Sequence, residues 1–185
     1  MRTASRASRL AVQIALLVAL LASASYMVLR TYLDNDEELY QNGRVNEVIS
    51  KGPVRVANLE WKLDSIEAYT ALVDKDGEKV SLSQPAGSVV IVALLTVTAH
   101  EGEYIKDGGF TCSAVLRDDR GNTWQGQGAY DYKLPTSCSD ADHPFTLNKP
   151  GQIAQVYVVP ETAVPHLSGV IVEDLDGYRR VMITR

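Results

Sequence analysis

The chain has 185 residues, 45% of them hydrophobic and 22% charged, with 13 Gly and 7 Pro. That is the make-up of one globular domain with an appendage, and it excludes a disordered, collagenous or low-complexity chain. All 23 acidic residues follow Leu33, whereas Arg2, Arg6, Arg9 and Arg30 place four of the 18 basic residues in the first 30 positions. The remainder sets 14 basic against 23 acidic residues, a net −9, which argues against nucleic acid or an anionic membrane surface as its partner.

Residues 1–9 form a basic N-terminus. Leu10 to Leu29 follow without a charge, interrupted only by Gln13, Ser23 and Ser25. As a helix this stretch rises roughly 30 Å, about the thickness of a bilayer's hydrocarbon core. Arginines precede it and Asp34, Asp36, Glu37 and Glu38 soon follow it, so the positive-inside bias predicts a cytoplasmic N-terminus and an exported remainder. The alternative is a signal peptide whose h-region is Leu10 to Leu21, cleaved after Ala22-Ser23-Ala24 and releasing a secreted protein. The apolar run continues through Leu29, longer than an h-region needs, which favours a single-pass signal anchor. Ala15, Ala19 and Ala22 fall on one helical face, a permissive surface for close helix packing.

Residues 30–52 read as an acidic juxtamembrane connector, with Gly52-Pro53 marking entry into a domain spanning 53–185. Short runs rich in Val, Ile, Thr and Tyr predict strands over Val54–Glu60, Lys62–Val73, Ser88–Ala99, Phe110–Arg117, Thr123–Gln127, Gln152–Val159, Ser168–Glu173 and Tyr178–Thr184. Asp74-Lys75-Asp76-Gly77, Asp118-Asp119-Arg120-Gly121-Asn122 and Asp174-Leu175-Asp176-Gly177 supply turn chemistry between them. Val89–Leu95 is apolar without alternation, as in a central strand covered on both faces, while Arg179–Thr184 alternates with Val181 and Ile183 inward. No amphipathic helix of ten or more residues is expected after Gly52. The pattern predicts an all-β, antiparallel β-sandwich preceded by one transmembrane helix.

In an exported domain Cys112 and Cys138 are most simply a disulfide. Closing a loop of about 27 residues stabilises the fold by roughly 3–4 kcal/mol on the chain-entropy model. The catalytic alternative is a thiol with His143 or His100 as base.

The long Val-rich strand Ser88–Ala99, the Asp-Asp-x-Gly-Asn turn into Trp124, and Lys149-Pro150-Gly151-Gln152 leading into Val156-Tyr157-Val158-Val159-Pro160 together resemble a known family. It is the telokin-like, immunoglobulin-like extracellular domain of unknown function from envelope proteins of Gram-positive, actinobacterial cells, and a secreted mycobacterial immunogenic protein is similar in fold. The resemblance covers Val54 to Arg185 and implies an immunoglobulin-like sandwich and an extracytoplasmic location. Where that family's long strand usually ends in Asn, Thr98-Ala99-His100 stands here. The resemblance brings no catalytic residues to carry over.

Chemistry-bearing patterns are sparse. There is no G-x-S-x-G; His166-Leu167-Ser168-Gly169 puts a serine near a histidine, which is not triad geometry. Gly108-Gly109 precedes a strand rather than a helix and forms no phosphate loop, and Gly126 and Gly128 read as a bulge or loop. Asp140, Asp142 and His143 cluster oxygen and imidazole donors after Cys138, but the stretch lacks the spacing and glycine of a calcium loop and reads as a solvated loop. Asp74, Asp76, Asp174 and Asp176 read as turn formers. Trp124, Tyr130 and Tyr132 lie on a glycine-spaced stretch and are the candidate partner contacts, because such anchors bury much area at modest entropic cost. No cofactor is expected.

These features predict a non-catalytic, membrane-anchored, extracytoplasmic accessory protein that docks on another envelope protein or membrane complex. The alternative is a ligand-binding sandwich for a lipid, a glycan or Ca²⁺, and an envelope enzyme built on Cys112 and His143 or on a serine ranks third.

Overall fold

A computed structural model describes residues 3–33, 40–41, 43–74, 76–80, 82–100, 112–128, 135–138 and 145–185. The chain divides into two compact units, Met1–Gly43 and Arg44–Arg185.

The first unit contains the long helix α1 (Thr3–Leu33, 31 residues). Its stretch Arg9–Thr31, 23 residues, is long and apolar enough to cross a membrane and equally fits a signal sequence. Polar side chains within it are bonded back to the helix: Ser23 Oγ donates to the Leu20 carbonyl at 3.0 Å and Thr31 Oγ1 to the Met27 carbonyl at 2.9 Å. Such bonds satisfy these two hydroxyls on an apolar surface. The helix runs past Leu29 into residues read from sequence as connector.

The second unit is a two-sheet β-sandwich of nine strands among the described residues: β1 (Glu47–Ser50), β2 (Val54–Val56), β3 (Leu59–Tyr69), β4 (Ser88–Ala99), β5 (Val115–Asp118), β6 (Thr123–Trp124), β7 (Pro150–Pro160), β8 (Leu167–Asp174) and β9 (Arg179–Thr184). One sheet has the order β1-β9-β8-β5-β6 and the other β2-β3-β4-β7. β4 lies between β3 and β7, paired from Leu59↔Ala99 to Tyr69↔Val90 on one side and from Ser88↔Pro160 to Thr98↔Pro150 on the other. The two inner faces supply the core: Trp61, Leu63, Ile91, Leu95, Val97, Ile153, Tyr157 and Val159 from one sheet, and Leu116, Val170, Val172, Val181 and Ile183 from the other. Tyr157 is fully buried, and its hydroxyl donates to the Ala114 carbonyl at 2.8 Å. Burial pushes that phenol above its ordinary pKa.

The expected outline needs four corrections. The sandwich is not wholly antiparallel, because β1 runs parallel to β9, from Glu47↔Val181 to Ser50↔Thr184. β1 also lies inside the stretch read as a connector, so the sandwich takes in chain before Gly52. β2 and β3 turn at Ala57-Asn58, with Ala57 at φ +52°, so the hairpin breaks before Leu59 rather than at Trp61. β5 begins at Val115: Cys112–Ala114 carry no strand pairing, and Phe110 and Thr111 lie outside the described residues.

The long apolar strand does have cover on both faces. Inward, Ile91, Ala93, Leu95 and Val97 are buried; outward, Val90 is buried and Val92 and Leu94 are half-buried. β3 reaches full length through a bulge between Leu63 and Ser65. The extra residue, Asp64, accepts hydrogen bonds from Lys62 Nζ at 2.7 Å and Thr96 Oγ1 at 2.6 Å.

Gly169 of β8 sits where β9 passes closest. A Cβ there would lie 2.2 Å from the Ile183 carbonyl oxygen and 2.9 Å from Thr184 Cα, both backbone. Gly169→Ala therefore forces β8 and β9 apart, with an expected loss of about 1–3 kcal/mol. Chemical denaturation of the variant checks this, and an unchanged midpoint would show that the strand pair yields freely.

Candidate functional site

The site is built from the tip of the β5–β6 hairpin. Asp118 ends β5 and is 2% exposed. A carboxylate that deep needs donors on its oxygens. The turn provides them: Oδ1 accepts from the backbone N–H groups of Arg120 at 3.0 Å and Asn122 at 2.7 Å, and Oδ2 accepts from Asn122 Nδ2 at 2.8 Å. Gly121 closes the turn at φ +88°. Burial alone would push the Asp118 pKa up, but these hydrogen bonds and the nearby Arg120 charge outweigh it and hold the carboxyl below its ordinary range.

The rigid turn faces a 3₁₀ segment, Glu161–His166, that leaves the end of β7. Between them lies a groove of about 380 Å³. Asp118, Arg120, Asn122, Thr123 and Trp124 line one side, and Pro160, Thr162 and Ala163 the other. Trp124 pairs with Leu116 across the hairpin, packs partly against the core and still lines the groove.

Arg120 is steered by a chain of side chains reaching across the two elements. Its Nη2 contacts His166 Nε2, and His166 Nδ1 faces the Asp119 carboxylate at 3.2–3.3 Å. The two nitrogens of the His166 ring thus face Arg120 and Asp119 on opposite sides. The backbone supports the same contact, since the Asp119 N–H donates to the His166 carbonyl at 2.9 Å.

Cys112 and Cys138 are bonded through sulfur, with Cα atoms 5.6 Å apart and a sequence separation of 26. Both are buried within the core cluster. The bridge anchors the chain next to a segment that covers the outer edge of β7. There the Ala154 N–H donates to the Pro135 carbonyl at 2.8 Å, Gln155 Nε2 to the Thr136 carbonyl at 2.6 Å, and the Gln127 N–H to the Val156 carbonyl at 2.6 Å. Gly126 leaves room for Gln155, whose Oε1 would lie 2.7 Å from a Cβ at that position.

Of the sequence candidates, the structure places Trp124 at the groove, while Tyr130, Tyr132, Asp140, Asp142 and His143 lie outside the described residues. Among the described residues no group of three or more His, Cys, Asp or Glu is arranged to hold a metal. The nucleophile arrangements are not assembled: the cysteine sulfurs are bonded to each other, and Ser168 Oγ donates to the Arg117 carbonyl at 3.4 Å while His166 faces Arg120 and Asp119. His100 bridges Asn148 Oδ1 and Glu60 Oε2, each at 3.2 Å. Asp74 and Asp174 act as turn formers, accepting from the Asp76 and Glu78 N–H groups and from the Gly177 N–H respectively. Sequence reasoning missed the role of Arg120, Asn122, Pro160 and Thr162 at the groove. The Asp-x-x-Gly-Asn spacing was the available signal for the first two.

The fold and groove define a β-sandwich joined to a long apolar helix. No protein-family model matches the chain, and no curated protein does. Among solved structures, it is similar to an uncharacterized β-sandwich protein from Clostridium difficile 630, with 14% identity over 76% of this chain and 94% of that one and a TM-score of 0.45. It is similar to a conserved hypothetical protein from Bacillus anthracis, with 12% identity over 68% and 87% and a TM-score of 0.44. It is also similar to the secreted protein MPT63 from Mycobacterium tuberculosis, with 16% identity over 69% and 82% and a TM-score of 0.44. These likenesses bring no functional residue to this chain.

Replacing Cys112 and Cys138 together by Ser should lower stability by roughly 3 kcal/mol. A double variant that unfolds with the parent would refute the structural role of the bridge. Asp118→Asn leaves an amide facing the Asn122 amide and should lower stability by about 1–3 kcal/mol at neutral pH. The folded-state pKa of Asp118 is depressed, so its contribution is present above the unfolded value of about 4 and is lost as pH falls through the folded one. The gap between parent and variant in unfolding midpoint should therefore close with acidification below pH about 4. A gap that widens there would contradict the assignment.

Proposed function

We propose that this protein is a membrane-anchored, extracytoplasmic accessory protein that docks on another envelope protein or membrane complex and carries no chemistry of its own. The observation that supports this most is the pairing, in one chain, of an apolar helical stretch Arg9–Thr31 with a disulfide-bonded sandwich. On this reading the helix is a single-pass signal anchor with its N-terminus in the cytoplasm, and the sandwich is of the immunoglobulin-like, telokin-like kind. On the same reading Trp124, Tyr130 and Tyr132 are the residues that contact the partner. Release after Ala24 as a secreted protein is the competing form of the same reading.

A second reading is favoured by the groove. A concave site with one aromatic wall and several oriented polar groups is the usual form of a small-ligand site. On that reading the sandwich holds a ligand at the β5–β6 hairpin, with or without a docking partner.

Carbonate extraction of native membranes, followed by purification of the tagged full chain in mild detergent, tests docking. The chain should stay in the membrane pellet and bring down a stoichiometric protein companion, and replacing Leu10–Leu29 by a polyleucine span should reduce that companion. A soluble form beginning near Ser25 would replace the anchor by a cleaved signal, and a protein recovered alone would overturn docking.

A further inference from the structure

The groove between the β5–β6 hairpin and the 3₁₀ segment gathers polar and aromatic side chains from two elements, and its chemistry narrows what it takes. We infer that it binds a neutral carbohydrate of mono- to disaccharide size, with the sugar's C–H face on Trp124 and its hydroxyls on Asn122, Thr162 and Arg120. This rests on the ligand-binding reading of the groove and is independent of docking by the helix.

Charge excludes the obvious competitors first. Arg120 lines the groove and Arg117 Nη2 comes within 3.9 Å of a Cβ built at Gly121 in the same turn, but these charges are opposed by the Asp118 carboxylate and by Asp119 across His166. Glu161 lies between the wall residues Pro160 and Thr162 in sequence. A site with that balance offers no net attraction to a phosphate or carboxylate. An extended peptide is disfavoured on different grounds. Peptides that add to a sheet need a run of free backbone edge, and the strand here, β6, is Thr123–Trp124, two residues long.

What remains is a mixed lining. A sugar hydroxyl both donates and accepts, so its site must offer both kinds of partner. Arg120 donates, Asn122 retains its amide oxygen and one amide hydrogen after bonding Asp118, and the Thr123 and Thr162 hydroxyls do either. Trp124, partly packed on the core, adds apolar surface among these polar groups. The volume, about 380 Å³, is at the small end of ligand pockets. The donors are also held in place: Asn122 by Asp118, and Arg120 by the Asp119–His166 pair. Such fixing lowers the entropic penalty of ordering side chains on a ligand.

The test uses the full chain in a detergent without a sugar headgroup. The chain has two tryptophans, so Trp61→Phe leaves Trp124 as the fluorescent reporter. Chitotetraose, cellotetraose and maltotetraose are titrated, and at least one should give a saturable blue shift. By calorimetry, Trp124→Ala should bind that sugar about tenfold more weakly or worse, Trp124→Phe should keep most of the affinity, and Thr162→Ala should lose a few-fold. The exposed Thr162 variant and the unfolding midpoint of each protein separate lost binding from lost folding. A saturable response that Trp124→Ala leaves unchanged would place the sugar elsewhere and overturn the inference. A Trp124-dependent shift with a decaproline peptide and none with sugars would also overturn it, while leaving the groove as a ligand site. Silence towards both sugars and peptide would remove the inference and the ligand-binding reading together.

Discussion

The sandwich depends on β4 being bonded along both edges at once. Its inner residues, Ile91 to Ala99 at alternate positions, are buried because β3 and β7 fix the strand on either side. A strand so placed must be apolar outward as well as inward wherever other chain covers its outer face, which Val90, Val92 and Leu94 satisfy. The arrangement leaves β7 as the last strand of its sheet, with a long edge that would otherwise be open to pairing with another chain. Gln127 and Pro135 close that edge with backbone bonds, and Gln155 and the buried disulfide hold the covering chain near it. The same strand then delivers Pro160 and the 3₁₀ segment to the groove, so the groove's far wall inherits its position from β4.

Much of this architecture is legible in the residues. β4 appears in sequence almost as it folds, because an unbroken apolar run corresponds to two-sided cover; in β9 Val181 and Ile183 are buried as expected, but Met182 between them is buried as well. The Asp-x-x-Gly turns are equally readable, since a short side-chain acceptor and a residue free of Cβ are local requirements. β1 was hidden for a different reason. It is four residues long and mostly exposed, with Val48 facing out and only Ile49 packed on the core, and its pairing with β9 joins residues more than 130 positions apart. Nothing local announces such a strand. The β2–β3 turn was hidden because Ala57 adopts positive φ with no glycine to mark it.

The site divides along the same line. Trp124 stands out as an aromatic on a glycine-spaced stretch, and the structure gives it a double role, part core and part groove wall. Its partners do not stand out. Pro160 and Thr162 are ordinary residues that become wall because the 3₁₀ segment turns towards the hairpin. Arg120 becomes an oriented donor because His166, far along the chain, supplies the ring nitrogen it meets. A constellation assembled by tertiary contact leaves no spacing to read.

The three Asp-x-x-Gly turns show how one local grammar acquires different consequences. In each, aspartate oxygens accept N–H groups of the same turn, at Asp74, Asp118 and Asp174. Asp74 is 9% exposed and Asp118 only 2%, and the tip that holds Asp118 is bonded to the 3₁₀ segment through Asp119 and His166. The Asp118 carboxylate is shielded by its own turn, so its oxygens stay satisfied only while that turn keeps its shape. That constraint extends to Asn122 and Arg120, whose backbone N–H groups it fixes and whose side chains face the groove. The hydrogen bonds that let the hairpin fold are therefore the ones that hold the groove's polar groups in place before any ligand arrives.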